Sequence, residues 1–214
     1  MRNLFLTIAL SLASAAAAAV PPQRVEIAYE IARNGSVLAE VSQRLEHDGR
    51  AYRLTEVWKG KGMLSLRGEA TRLSQGAVAA DGLRPRKFED QRAGRETRQA
   101  EFDPSARTAT LLRQDQLSLI WTFAFAPPRD AVTASVADGK RVTSYTYQLA
   151  GRERVKTPAG DFDALKLVKR RVNPQDKATE IWLAVDRQYI PVRILVIDKD
   201  GTRLDQLATK ISAQ

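Results

Sequence analysis

The chain has 214 residues, with 34 Lys and Arg against 25 Asp and Glu, one His, no Cys, and a formal net charge of +9. Without cysteine, disulfide staples, thiol catalysis and thiolate metal sites are excluded, and a single histidine excludes a multi-histidine metal centre. The positive balance favours anionic partners: phospholipid head groups, lipopolysaccharide phosphates or acidic polymers.

Residues 1–19 read as a leader. Arg2 gives a positive start, residues 4–12 are apolar, and Ala17, Ala18 and Ala19 supply the small-residue pattern that signal peptidase cuts. The apolar run is too short for a spanning anchor, and no later stretch approaches that length. Cleavage is expected after Ala19, leaving residues 20–214 as a single all-β domain of periplasmic location. Nucleic acid fits the charge but not that compartment. A chain of this size buries roughly 70% of its unfolded surface, enough for a core without staples.

In chain order, Val25, Ile27, Tyr29 and Ile31 alternate with polar neighbours, as a half-buried strand requires. Asn34-Gly35 is a strong hairpin turn, and Val37, Ala39 and Val41 continue the alternation on the return. A turn at 47–49 leads to a strand carrying Tyr52, Leu54 and Trp58, and residues 64–74 read as the next. Asp81-Gly82 and Pro85 mark a loop before a strand around Phe88. Residues 95–102, charged and small by turns, suggest an exposed edge strand. Asp103-Pro104 breaks it, and residues 108–112 lead to a different pattern.

Within 115–126 the apolar spacing is helical. Leu117, Ile120, Trp121, Ala124 and Phe125 share one face, Asp115 is placed to cap the first turn, and Pro127-Pro128 stops the helix. Strands then follow at 131–136, 142–149, 152–157, 162–172, 179–185, 189–197 and 202–210, separated by Gly, Pro and Asn turns. Roughly a dozen strands joined by short turns predict a mainly β fold. The expected form is a strongly curved antiparallel sheet or incomplete barrel, with the one inserted helix packed on its concave side or opening.

Four phrases line up in order along the mature chain: Gly82-Leu83-Arg84-Pro85, Gln114-Asp115-Gln116-Leu117-Ser118, Thr157-Pro158-Ala159-Gly160, and Trp182-Leu183-Ala184-Val185-Asp186 followed by Pro191-Val192-Arg193. Together they resemble the bacterial domain of unknown function 3108 family, over nearly the whole mature chain. The resemblance implies an exported protein of a two-membrane bacterium and no activity, since that family has no established catalytic or binding residues to carry over. In outline such chains look similar to bent-sheet lipoprotein carriers of the periplasm, a likeness of fold alone.

No Gly-x-Ser-x-Gly, His-Glu-x-x-His, phosphate loop or dinucleotide fingerprint occurs, so no catalytic residue, metal ligand or cofactor is assigned. His47 lies in a polar stretch and reads as an exposed turn residue. Asp198-Lys199-Asp200-Gly201 resembles part of a calcium loop, but its glycine comes too early, and a hairpin turn explains it. Asp161 and Asp163 share one strand face and could form an acid–base pair, though solvent beside a turn explains both. The run Lys169-Arg170-Arg171 fits a solvated edge.

The ligand-binding candidates are Gln114, Asp115, Ser118, Trp121 and Trp182. The three polar residues could sit at the barrel mouth, although capping also accounts for Asp115; the aromatics could line a cavity or simply fill a core. The leading expectation is a non-enzymatic binding module or envelope-assembly factor holding an amphipathic ligand or partner segment. One alternative is a structural partner in an envelope complex, its basic surface touching protein or anionic membrane. Another is a carboxylate-based hydrolase using Asp161, Asp163 or Asp186.

Overall fold

The computed structural model describes residues 20–103, 112–173 and 175–214. They form one 13-stranded sheet, nearly closed into a barrel with one unsealed seam, and one short α-helix. The strands are β1 (Arg24–Arg33), β2 (Ser36–His47), β3 (Ala51–Gly60), β4 (Ala70–Ala79), β5 (Gly82–Arg92), β6 (Arg98–Glu101) and β7 (Leu112–Asp115). After the helix α1 (Ser118–Phe125) come β8 (Val132–Ala137), β9 (Val142–Thr157), β10 (Gly160–Lys169), β11 (Ala178–Ala184), β12 (Ile190–Ile197) and β13 (Arg203–Ala213). The spatial order is β6-β5-β4-β3-β2-β1-β13-β12-β11-β10-β9-β8-β7. The chain thus builds one wall, crosses through the helix, builds the second wall and returns to pair its last strand with its first.

Every pairing is antiparallel except β7 with β8. Parallel neighbours need a crossover rather than a turn, and α1 supplies it. Apart from β1 with β13, which joins the two ends of the chain, the other pairs are sequence neighbours; here the helix between the strands decides.

Four local expectations change. Gly82 to Pro85, read as a loop, already belong to β5, where the register with β4 shifts between Gln75, which faces Lys87, and Gly76, which faces Pro85. Residues Gly62–Arg67 form a 3-10 turn, not the start of a strand, and leave Met63 and Leu66 exposed. The two expected strands at 142–149 and 152–157 are one strand, β9: Gly151, at φ +116°, opens a bulge where Lys166 faces Gly151 and Leu167 faces Leu149. Glycine accepts that backbone without strain, so the strand bends instead of ending. The helix begins at Ser118, because Asp115 is still in β7.

The helix lies between the walls and is buried nearly all round. Leu117, Trp121, Ala124 and Phe125 pack with Ile27, Leu45, Leu54 and Leu83, while Leu119 and Phe123 pack with Leu167, Ile181 and Leu183. Each large side chain so buried contributes about 1.5–3 kcal/mol. Close approach is possible because Gly82 stands where a Cβ would meet Thr122 Cγ2 at 2.4 Å, and its φ of +112° also suits glycine.

Candidate functional site

Gln114, Asp115 and Ser118 come together in one buried cluster at the start of the helix. Asp115 Oδ1 accepts from the backbone N–H groups of Leu117 and Ser118, both at 2.8 Å, and Oδ2 accepts from the Ser74 hydroxyl at 2.6 Å. Tyr52 lies 2.8 Å from the Ser74 oxygen and donates to it, since the Ser74 proton is already committed. Ser118 donates to Gln114 Oε1 at 2.7 Å, and Gln114 Nε2 donates to the Leu83 carbonyl at 2.7 Å. The three residues are at most 1% exposed, and their polar atoms latch the helix onto β3, β4 and β5. Burial pushes the Asp115 carboxyl above its ordinary value, against the opposing effect of its hydrogen bonds.

Trp121 joins a second buried chain, which crosses the wall from β2 to β5. Its indole N–H donates to Gln43 Oε1 at 3.0 Å, and Gln43 Nε2 donates to Glu56 Oε2 at 2.6 Å. Glu56 Oε1 accepts from Trp58 Nε1 at 2.6 Å and from Arg72 Nη1 at 3.0 Å. Arg72 Nε stands 3.7 Å from Asp90, whose carboxylate takes both arms of Arg92. Burial acts to raise the Asp90 pKa, but Arg92, Arg72 and Arg98 bring it below the usual carboxylate value. Tyr29 donates to the Pro191 carbonyl at 2.8 Å and links the same interior to β12. A carboxylate this deep persists because every donor around it is charged or aligned.

Trp182 is elsewhere. It alternates with Ile181 and Leu183, which face Leu119 and Phe123, so it stands on the opposite side of β11. Its ring lies between Lys166 Nζ at 4.9 Å and Arg193 Cζ at 4.5 Å, and its N–H donates to Glu153 at 2.6 Å. It belongs to the same apolar cluster as Trp121 and Phe125, but its polar partners are not those of Gln114, Asp115 and Ser118.

The remaining sequence candidates have local roles. His47 closes β2 half-buried, not exposed in a turn. Its Nε2–H points to the carbonyls of Pro21 and Pro22 at 3.0 and 3.1 Å, and its ring meets Phe125 edge-on at 5.0 Å. Asp198 pairs with Lys177 at 2.9 Å, and Asp200 accepts from Thr202 N, as a hairpin turn needs. Asp161, Asp163 and Asp186 are exposed. Phe162 lines the same hollow as Asp186, so Asp161 and Asp163, alternating with Phe162, point away from it. No cleft joins the three.

Two surface features were not picked out from the sequence. At one end of the barrel a hollow of about 600 Å³ has Phe162, Ile190 and Ile211 on its wall, with Asp186, Arg187 and Gln188 at the rim. Beside it Gln188 and Tyr189 both hold left-handed backbone, at φ 54° and 60°, a strain of about 1–3 kcal/mol each. The second feature is the seam. A hollow of about 270 Å³ lies between β6 (Gln99, Ala100, Glu101 and the following Phe102) and the outward residues Arg113, Ser135 and Ala137 of β7 and β8. The β8–β9 turn closes one side of it, with Gly139 so near β6 that a Cβ would sit 2.8 Å from Arg98 Cβ. The charged, alternating 95–102 stretch signalled an edge strand, but not what it faces.

The family described as "Protein of unknown function (DUF3108)" matches residues 24–119 and 108–207. The chain belongs to this family. Among curated proteins, none matches. Among solved structures, a β-barrel-like protein of the domain of unknown function DUF1849 from Brucella abortus is similar in fold. Its TM-score is 0.51 at 10% identity, covering 92% of this chain and 100% of that one. The Pseudomonas aeruginosa MucA/MucB complex gives a TM-score of 0.40 at 18% identity, over 89% of this chain and 53% of that one.

Proposed function

We propose that this protein is a non-enzymatic binding module of the cell envelope, exported by the 1–19 leader, that engages a partner protein's segment at its surface. The observation that carries the reading is the packing of α1: Trp121, Phe123 and Ala124 are at most 1% exposed and occupy the space between the walls. A barrel filled by its own helix offers its edges and outer hollows to a partner. The polar residues around that helix are matched to one another, and the exposed carboxylates do not converge as a hydrolytic pair requires at roughly 5–9.5 Å.

A second reading keeps the amphipathic ligand and moves it to the end hollow, favoured by the apolar Phe162 and Ile190 beneath a polar rim. Two measurements on the full chain separate the readings. In vivo photo-crosslinking from surface positions is expected to yield protein adducts. Organic extraction of the purified protein is expected to release no stoichiometric lipid. A bound acyl lipid with no protein adduct would reverse the order of the two.

A further inference from the structure

Resting on that module reading, we infer that the seam between β6 and β7–β8 receives an extended acidic segment of a partner protein as an added strand. β6 and β7 are the two ends of the sheet order, each with a strand neighbour on one side only among the described residues. An open strand edge pairs readily with another extended chain, whose backbone supplies the affinity while alternate side chains supply the specificity. The seam offers what those alternate side chains need. Ala137 and Val142 give an apolar patch, with Val142 68% exposed, and Ala100 and Phe102, which also pack against the core, line the facing wall.

Positive charge lines the rest. A neighbouring hollow of about 340 Å³ shares Gln99, Gly139 and Lys140 with the first. Around the two stand Arg95, Arg113 and Lys140, whose side chains make no hydrogen bond or ion pair among the described residues, and Arg98, whose charge acts on Asp90 and Asp138. Arg92 and Arg141, also on the rim, are already held by Asp90 and Asp138. Against those three cations the linings place only Glu96 and Glu101 as acids without a hydrogen bond or ion pair among the described residues. A strand alternating acidic and small apolar residues presents carboxylates to the cations and its other face to the apolar patch. The strand-edge geometry favours a peptide over a lipid head group, which would use the charge and leave the edge unpaired.

The test uses the full mature chain and a fluorescein-labelled ten-residue peptide alternating Glu and Val, read by anisotropy. Controls are the same peptide with Lys for Glu, and one of equal charge with Pro at two central Val positions. Saturable binding of the Glu/Val peptide is expected, with none of the Lys peptide and at least tenfold weaker binding of the Pro peptide. The double variant Arg113→Glu with Lys140→Glu, at two exposed sites, is expected to weaken binding at least tenfold with an unchanged circular dichroism spectrum. Val142→Asp, which leaves those cations in place, is expected to weaken it as well.

No binding of the Glu/Val peptide, equal binding of the Pro peptide, or indifference to both variants overturns the inference. So does displacement of the peptide by phosphatidylglycerol vesicles with no effect of the Pro control, which would mark a membrane surface. Photo-crosslinking separates this failure from that of the wider reading. Protein adducts from other surface positions with a silent seam overturn the seam alone, and no protein adduct from any position overturns both.

Discussion

The Ser74 hydroxyl donates to Asp115 Oδ2 at 2.6 Å, across 41 residues of sequence, and this contact ties the first turn of the helix to the wall that surrounds it. The acceptor is a fully buried carboxyl whose pKa is raised, chiefly by burial. Above the ordinary aspartate value of 3.8 the unfolded chain therefore loses its proton first, and binds fewer protons than the folded one. Asp115 accordingly contributes stability below that value, lost as pH rises towards the folded pKa. Asp90 and Asp138, held low, act in the opposite sense, so the difference between variant and wild type is the readout. Asp115→Asn is expected to gain stability relative to wild type as pH rises above 4 in urea titrations, until the raised folded pKa is passed. A difference that stays flat above pH 4 would show that Asp115 titrates normally.

Ser74→Ala removes a group that serves two buried partners, Asp115 and Tyr52. A loss of about 1–3 kcal/mol in unfolding free energy is expected, the cost of leaving buried polar atoms unpaired. Because the hydroxyl links the helix to β3 and β4, near-ultraviolet circular dichroism of the tryptophans should change before global unfolding.

Gln43 bridges Trp121 and Glu56, so Gln43→Leu strands an indole N–H and weakens the setting of a buried carboxylate at once. The expected cost is about 3 kcal/mol, above that of Ser74→Ala because a charged group is involved. The double variant with Glu56→Leu, which also strands Trp58 and Arg72, should lose less than the sum of the two single variants, because both remove the Gln43–Glu56 bond. A double-mutant cycle measures that difference directly.

Gly82→Ala places a methyl 2.4 Å from Thr122 Cγ2, on a backbone that L side chains rarely adopt. A loss of about 2–4 kcal/mol is expected from crowding and strain together. Combining it with Thr122→Ser, which deletes the clashing methyl, should restore only the crowding part, since the strained φ of +112° remains.

His47 fixes the entering chain through the carbonyls of Pro21 and Pro22. His47→Ala is expected to cost about 1 kcal/mol globally and to speed proteolytic trimming ahead of β1. Unchanged trimming would mean that the strand pairing of Arg24 with Gln214 holds that end by itself.

The sequence carried the β class, the lone helix and the turn chemistry, because these rest on local rules. Asn34-Gly35 and Asp200-Gly201 sit at the turns their residues demand. Of the expected stripe, Leu117, Trp121, Ala124 and Phe125 do form one buried face of α1. Ile120, placed with them from the sequence, instead packs half-buried with Leu119 and Phe123, which bury the opposite face against the second wall. An amphipathic template finds one face and misses a helix enclosed on both sides. Capping explained Asp115 but left Gln114 without a partner, and that partner, Leu83, lies 31 residues away. The same limit hid the seam. Arg98 and Lys140 meet at its hollows only after twelve strands have curled round, and no local pattern encodes that meeting.

Backbone hydrogen exchange on the full chain, with and without the Glu/Val peptide, addresses the central claim: an interior filled by α1 and capture at the seam. Protection is expected to rise in Arg98–Glu101 and Leu112–Asp115, with Ser118–Phe125 unchanged. Protection that rises in the helix while β6 stays as before would contradict it, since the peptide would then be entering the barrel.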